Sequence, residues 1–431
     1  MPHKKILRAL AVAAVVALSA AACSGGGSDN KSKDANGPIT LTWWHNGNNE
    51  PLLSLWKQVA DDYHASHPKV SFKIQPFQNE QFTTKVPVAL QGKNPPHIYQ
   101  QWGGGNEASQ VKSGKLMDLT GAVSGWIGQL GHSADGWKVN GKQYGIPYDQ
   151  HVVGFWYRTD LFQQAGITSP PTTLDELNSD VSKLKSAGLA PIAIGSKDKW
   201  PDAFYYDYFA VRECSTKVLK AELKAQKLTD RCWTKAGQDV KDFLATNPFQ
   251  EAFLGTPAQQ GAGSSAGMLA NGKAAMELQG DWDLSTMTAL TTDKALPSKL
   301  GWFPFPTVPG GHGDPDVVLG GGDGFSCTSK ATKACADFLK YIASTPVQSK
   351  LAQAGVGLPV NPSAASALTD PTVKKVLNAS RKANYIQTYF DIALPTSTGQ
   401  AMDDAAANQF AGKGDANAVA QAVNNAATGN R

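Results

Sequence analysis

The sequence predicts an α/β fold arranged as two lobes. Three observations carry that prediction. The first folded segment reads as strand, helix and strand, the unit of a parallel sheet. About 390 residues follow a polar tether, more than one hydrophobic core usually serves. Polar and aromatic residues recur where the predicted strands end, which is where α/β sheets gather their ligands.

The chain begins with Lys4, Lys5 and Arg8 ahead of an apolar run from Ala9 to Ala22 that ends at Cys23. That is the layout of a secretory signal peptide, and the run is too short to span a bilayer. The small residues Ala20, Ala21 and Ala22 resemble a bacterial lipoprotein processing site, although the nearest Leu is Leu18 rather than three residues before the cysteine. Cys23 is therefore the expected lipidated N-terminus, and residues 1–22 the expected signal. The stretch "SGGGSDNKSKDANGP", Ser24 to Pro38, has no large apolar residue, so it reads as a solvated tether with a reach on the order of 20 Å. A lipid plus a flexible leash places the working part at the extracellular face of a cell membrane.

Leu41 to Trp44 reads as the first strand. Pro51 to His64 places Leu52, Leu55, Trp56, Val59 and Tyr63 on one helical face, with Lys57, Gln58, Asp61 and Asp62 on the other. Val70, Phe72 and Ile74 then alternate with polar residues as a strand does. Further along, Ile98 to Gln101, Gly145 to Tyr148 and Pro191 to Gly195 are predicted strands, and Leu174 to Ser186 and Ala336 to Ala343 predicted helices. No internal repeat is present.

With Cys23 set aside, four cysteines remain: Cys214, Cys232, Cys327 and Cys335. An even number in an exported chain predicts disulfides. Three pairings are possible, and the two local ones are expected. No CxxC or His-rich cluster points to a metal, and no cofactor is expected. The formal charge of +4 falls to about +1 without the three basic residues of the leader. Such a balance favours neither nucleic acid nor an anionic surface as a partner.

The stretch "LTWWHNGNNEP" sets two tryptophans before a run of His and Asn. Neighbouring strand residues face opposite sides, so both indoles are buried only in a sheet covered on both faces. Trp44, beside the loop, is expected to show a face to a cleft, with His45 and the amides next to it. Similar clusters recur as "QQWGGGN", "PYDQH", "GFWYR", "KDKWPDAFYYDY" and "LQGDWD". Sugars pack C–H faces on aromatic rings and pair their hydroxyls with amides and carboxylates. Repetition of this mixture in separated segments argues for a carbohydrate cleft.

The stretches "GKQYGIPYDQHVVGFWYRTDLFQQAGI", "LANGKAAMELQGDWDL" and "LGWFPFPTVPGG", with the opening strand-helix-strand, resemble the extracellular sugar-binding lipoproteins of bacterial ABC importers. The resemblance covers essentially the whole mature chain. It implies a two-lobed periplasmic-binding-protein-like fold with a hinge of crossing strands. The expected first lobe is 38–150 with 302–344, the second 154–297 with 349–431, and the hinge 151–153, 298–301 and 345–348. By the same resemblance Trp282 is a stacking platform, Trp102 stands at the first lobe's cleft edge, and Asn46, Asn48 and Asn49 form a sugar-contacting loop. His151 and Asp149 fall where relatives carry polar contacts, and Trp200 and Tyr206 in a segment that supplies another aromatic. Asn79, Glu80, Gln279, Asp281, Asp323 and Tyr389 complete the expected site.

The pattern "WWHNGN" with "YQQWGGG" is most similar to actinobacterial xylo-oligosaccharide binders, which implies xylobiose. Chitobiose or N-acetylglucosamine, cellobiose and maltose stay open. The implied partners are membrane permease subunits with a separate ATPase, and the implied state is a monomer without catalysis. A glycoside hydrolase would need two carboxylates flanking the bond. Asp149, Asp281 and Asp283 are conceivable members, but Asp281 and Asp283 stand two apart around a Trp. A polysaccharide adhesin that never closes is the third class. "GGGDGF", Gly320 to Phe325, lacks the Lys-Ser or Lys-Thr of a phosphate loop and reads as a close backbone turn.

Overall fold

The computed structural model describes residues 37–429. The expected signal peptide, the lipidated Cys23 and all but the end of the tether lie outside the described residues. Along the chain the strands are β1 (Ile39–His45), β2 (Val70–Pro76), β3 (Ile98–Gln101), β4 (Lys138–Val139), β5 (Lys142–Gln143), β6 (Gly145–Pro147) and β7 (Asp149–Arg158). They continue as β8 (Ala190–Ala193), β9 (Ala274–Gly280), β10 (Leu300–Phe303), β11 (Val317–Gly321), β12 (Gly324–Cys327), β13 (Leu358–Pro359) and β14 (Tyr385–Thr388).

Two sheets make two lobes, as expected. The first has the order β2-β1-β3-β12-β6, with β1 parallel to both neighbours and β12 antiparallel to β3 and β6. The second has the order β14-β11-β7-β9-β8, with β10 and β13 also pairing with β7. β4 and β5 form a separate hairpin.

Alternation along β1 decides what each aromatic does. Trp43 is fully buried, with its ring edge-on to Phe325 at 5.1 Å and to Phe338 at 5.2 Å. Trp56 joins this core from the helix Leu52–Ser66 and meets Tyr148 at 4.9 Å. Trp44 faces the opposite side, half-buried against Phe77 at 5.0 Å, beside the helix Asn79–Gln91. The second lobe is built around the helix Trp200–Glu213, almost every residue of which is buried. Arg212 near its end donates to the carbonyls of Phe305, Pro306 and Val317 at 2.8 to 3.1 Å, so the buried guanidinium ties the helix to the two strand ends. The helix Leu174–Ser186 starts with a reciprocal cap, in which Thr173 accepts from the Glu176 backbone and Glu176 from that of Thr173.

Both local cysteine pairs are joined, Cys214 to Cys232 and Cys327 to Cys335. The first bridge ties the end of the buried helix to the helix Arg231–Ala245, and the second ties β12 to the helix Lys333–Ile342.

The chain passes between the sheets at Tyr148, between β6 and β7, and again at Gly322–Asp323, between β11 and β12. A third passage follows the helix Thr345–Ala354, whose Val347 and Leu351 pack in the first core, and leads to β13 on β7. These positions correct the expected boundaries. Residues 151–153 lie inside β7, and 300–303 form β10, which pairs antiparallel with β7 from Leu300↔Arg158 to Phe303↔Phe155. The stretch 302–321 therefore belongs to the second sheet, and the first lobe resumes at Gly324. The helix Thr345–Ala354, placed at the hinge and in the second lobe by the sequence, belongs to the first.

Candidate functional site

The two lobes enclose a cleft of about 350 Å³, within the size range of small-ligand sites. One wall is the loop after β1. Asn46 is fixed there twice, its N–H donating to Gln100 Oε1 at 3.1 Å and its Nδ2 to Asn79 Oδ1 at 2.9 Å. Asn48, Asn49, Asn79, Glu80 and Trp102 line the same wall. Trp102 stands at the end of β3, its N–H held by Gln101 Oε1 at 2.8 Å and its ring edge-on to Phe82 at 5.7 Å.

The facing wall carries Trp200, Trp282 and Tyr389. Trp282 follows β9 in a turn whose Gly280 leaves room for the indole: a Cβ there would lie 2.0 Å from Trp282 Cζ3. Around this ring stand His151 at 4.8 Å, Tyr389 and Phe204 at 6.4 Å, and Trp200 at 6.5 Å between centroids.

The floor is charged. His151 and Asp323 line it. Asp281 Oδ1 lies 3.2 Å from His151 Nδ1 and accepts the Val152 N–H at 2.9 Å. His151 Nε2 lies 3.1 Å from Asp149 Oδ1 and 3.4 Å from Asp323 Oδ2. Burial works against a charged imidazole, but the carboxylates of Asp149 and Asp281 outweigh it and raise the His151 pKa well above its usual range. Burial likewise raises the Asp149 carboxyl, with Asp323 adding to the effect. Donor atoms of Asp149, His151 and Asp323 lie within 4.8 Å of one another, a grouping that could hold a cation, and the imidazolium supplies positive charge there. Because Asp323 sits on one lobe passage and Asp149 on another, the cluster ties two crossing segments together.

Several polar atoms lining the cleft are buried yet make no hydrogen bond within the described residues: Glu80 Oε2, Gln100 Nε2, Trp282 Nε1, Tyr389 Oη and Asp403 Oδ1. Burial holds the Asp403 carboxyl well above the usual range, with Asp391 and Asp207 adding to it, and raises Asp198 and Asp391 to about 6. Protonated carboxyls can donate where ionised ones only accept, so the cleft offers both kinds of partner.

Eleven of the seventeen expected contact residues line this cleft, and six do not. Trp44 packs under the helix Asn79–Gln91 instead. His45 shares the core-facing side of β1 with Trp43, whose ring is 5.2 Å away, and it is fully buried. Tyr206 is buried in the second core and donates to the Trp233 carbonyl at 3.3 Å. Gln279 is buried at the end of β9, accepting from the Gly280 N–H at 3.2 Å. Asp149 and Asp281 act behind the floor by holding His151. Residues absent from the expected set include Gln100, Gln101 and Asn106, which stand beside Trp102 in "YQQWGGGN", and Asp198 and Lys199 beside Trp200. Gln400 and Asp403 also line the cleft, from the helix Thr396–Phe410, where no aromatic marked them.

The sequence profile of the family described as "Bacterial extracellular solute-binding protein" matches residues 46–349. The chain belongs to this family. Among curated relatives of this solute-binding protein, the diacetylchitobiose binding protein DasA of Streptomyces coelicolor is 28% identical over 373 residues, covering 83% of this chain and 82% of the relative. The multiple sugar-binding protein of Streptococcus mutans is 23% identical over 364 residues, covering 81% and 80%. Among solved structures, one from work on xylan utilization by the thermophilic bacterium Caldanaerobius polysaccharolyticus superposes with a TM-score of 0.83 at 27% identity, covering 90% of this chain and 99% of the other. A chitin oligosaccharide binding protein superposes at 0.80 with 23% identity, covering 90% and 98%, and bears on the fold. The family places the chain outside the cytoplasm as a receptor for a solute. No helix among the described residues is long and apolar enough to cross a membrane.

Proposed function

We propose that this solute-binding protein captures a short xylo-oligosaccharide, xylobiose first, and delivers it to the membrane permease of an importer powered by a separate ATPase. The observation that carries the reading is the pairing of three indoles, Trp102, Trp200 and Trp282, with unpaired polar atoms in one cleft between two lobes. Flat rings take the C–H faces of pyranoses and the polar atoms take their hydroxyls. Xylose lacks the exocyclic CH2OH, so flat walls close on both of its faces. The 27% identical structure from xylan utilization supports this choice of sugar. The expected ligand contacts are the eleven cleft residues above. The chain acts as a monomer without catalysis, anchored through a lipid on Cys23. Sugar that touches both lobes favours their approach, and the sugar-bound population docks on the permease.

Diacetylchitobiose is the second reading, because the 28% identical relative is named for it. Calorimetric titration of the chain from Gly25 onward with xylobiose, cellobiose, chitobiose and maltose separates the two. Micromolar or tighter binding of xylobiose alone supports the proposal. Preference for chitobiose transfers the role to the second sugar, and silence across the panel removes both.

A further inference from the structure

The helix Gly104–Lys112 follows β3 in the first lobe, and its first turn lies against the short helix Phe390–Ala393, which follows β14 in the second. The approach is backbone to backbone. A Cβ on Gly105 would lie 2.5 Å from Ala393 O, 2.5 Å from Leu394 C and 2.6 Å from Leu394 O, so its three nearest atoms all belong to the other lobe. A Cβ on Gly104 would lie 2.5 Å from Ile392 O. Contacts under 3.0 Å are essentially never made by real Cβ atoms, and ordinary ones begin at 3.4 Å. The obstacles are main-chain atoms, which cannot rotate aside as a flexible side-chain end does.

Trp102 and Asn106 flank this pair on one lobe and Ile392 is part of it on the other, and all three line the cleft. The spacing of the two aromatic walls is therefore tied to how closely the glycine turn approaches residues 392–394. We propose that Gly104 and Gly105 form a closure seat, a place where the lobes come together only because no side chain stands between them. The inference rests on the sugar-receptor reading for its purpose, but its geometry can be tested without sugar. With alanine at 105 the seat has to open by about 1 Å, from 2.5 Å toward 3.4 Å. Gaps of that size forfeit a quarter to a half of a van der Waals contact along a wall. A ligand held from both sides then loses part of its contact with one of them.

Gly105→Ala is the test. The backbone at Gly105 is not in the left-handed region, so alanine fits its own helix, whereas Gly104 has φ +65° and would add local strain. Gly121→Ala is the control, since nothing lies within 4 Å of a Cβ there. Two measurements decide. Spin labels on cysteines at the exposed positions Val88 and Leu254, one on each lobe, report the inter-lobe distances with and without xylobiose. Calorimetry reports affinity for the same sugar. The seat predicts that Gly105→Ala depletes the shortest distances even without sugar and weakens binding about tenfold or more. It also predicts a sugar-free melting temperature within about 2 °C of the parent, because neither lobe's interior is touched. Gly121→Ala should match the parent throughout. Unchanged distances in Gly105→Ala, or an equal loss in Gly121→Ala, overturn the seat. If the parent binds none of the sugars, the sugar reading fails while the sugar-free distances still decide on the seat.

Discussion

Trp200 Nε1 lies 3.5 Å from Glu80 Oε1, so a donor of the second lobe meets a carboxylate of the first across the cleft. The contact is long, and Glu80 keeps its second oxygen unpaired and buried. A hydroxyl presented by a ligand would find an acceptor there that water reaches poorly. Glu80→Gln keeps the size and removes the charge. It should weaken sugar binding about tenfold, the scale of a hydrogen bond to a charged group, with little change in ligand-free stability. Titration calorimetry beside thermal melting checks both halves.

Trp282 and Gly280 act as one unit. Trp282→Ala removes the platform and should cost about 10- to 100-fold in affinity. Gly280→Ala leaves the indole in the sequence but drives it from its seat, because the new methyl would overlap the ring. A loss close to that of Trp282→Ala is expected. An affinity equal to the parent's in Gly280→Ala would show that the ring is not used where it stands.

Two other tryptophans should separate stability from binding. Trp56 is fully buried, so Trp56→Ala should cost about 3–5 kcal/mol in denaturant unfolding. Trp44→Ala should cost about 1–2 kcal/mol, since that ring is half-buried against Phe77. Affinity of the folded Trp44 variant should stay within about threefold of the parent. A larger loss would return Trp44 to the sugar wall.

His45 predicts a pH effect. Burial lowers its pKa to about 3, and neither ring nitrogen has a hydrogen-bond partner among the described residues. The unfolded chain binds a proton there near pH 6.5, the folded one only near pH 3. Between these values the unfolded state holds more protons, so stability falls as pH falls through that window. His45→Leu should flatten this acid limb in unfolding measured from pH 7 to 4. A limb as steep as the parent's would place the acid sensitivity in other groups.

The fold was readable because its signals are local and periodic. The helix face of Leu52, Leu55, Trp56, Val59 and Tyr63 and the alternation of Val70, Phe72 and Ile74 each stand in one short window. The same alternation, carried two residues further along β1, would have put His45 on the core side with Trp43. Proximity to the loop drew it and Trp44 into the expected site instead. Gln100 and Gln101 were within reach of the strand-end rule that found Trp102. Gln400 and Asp403 were not, because only the return of the C-terminal helix to the cleft brings them there. The lobe boundaries escaped for a related reason: β10 reads as any strand does, and its pairing with β7 across some 140 residues leaves no local trace.

The place of β12 has a consequence for how the chain is made. It lies between β3 and β6 in the first sheet, yet it follows both by well over a hundred residues. A nascent chain that has reached Phe303 has delivered four strands of the first sheet and lacks the one that sits between two of them. The second sheet is equally unfinished, since β11 and β14 are still to come. Neither sheet can be completed before strands beyond Phe303 have been made, so both lobes reach their final strand order only late in synthesis.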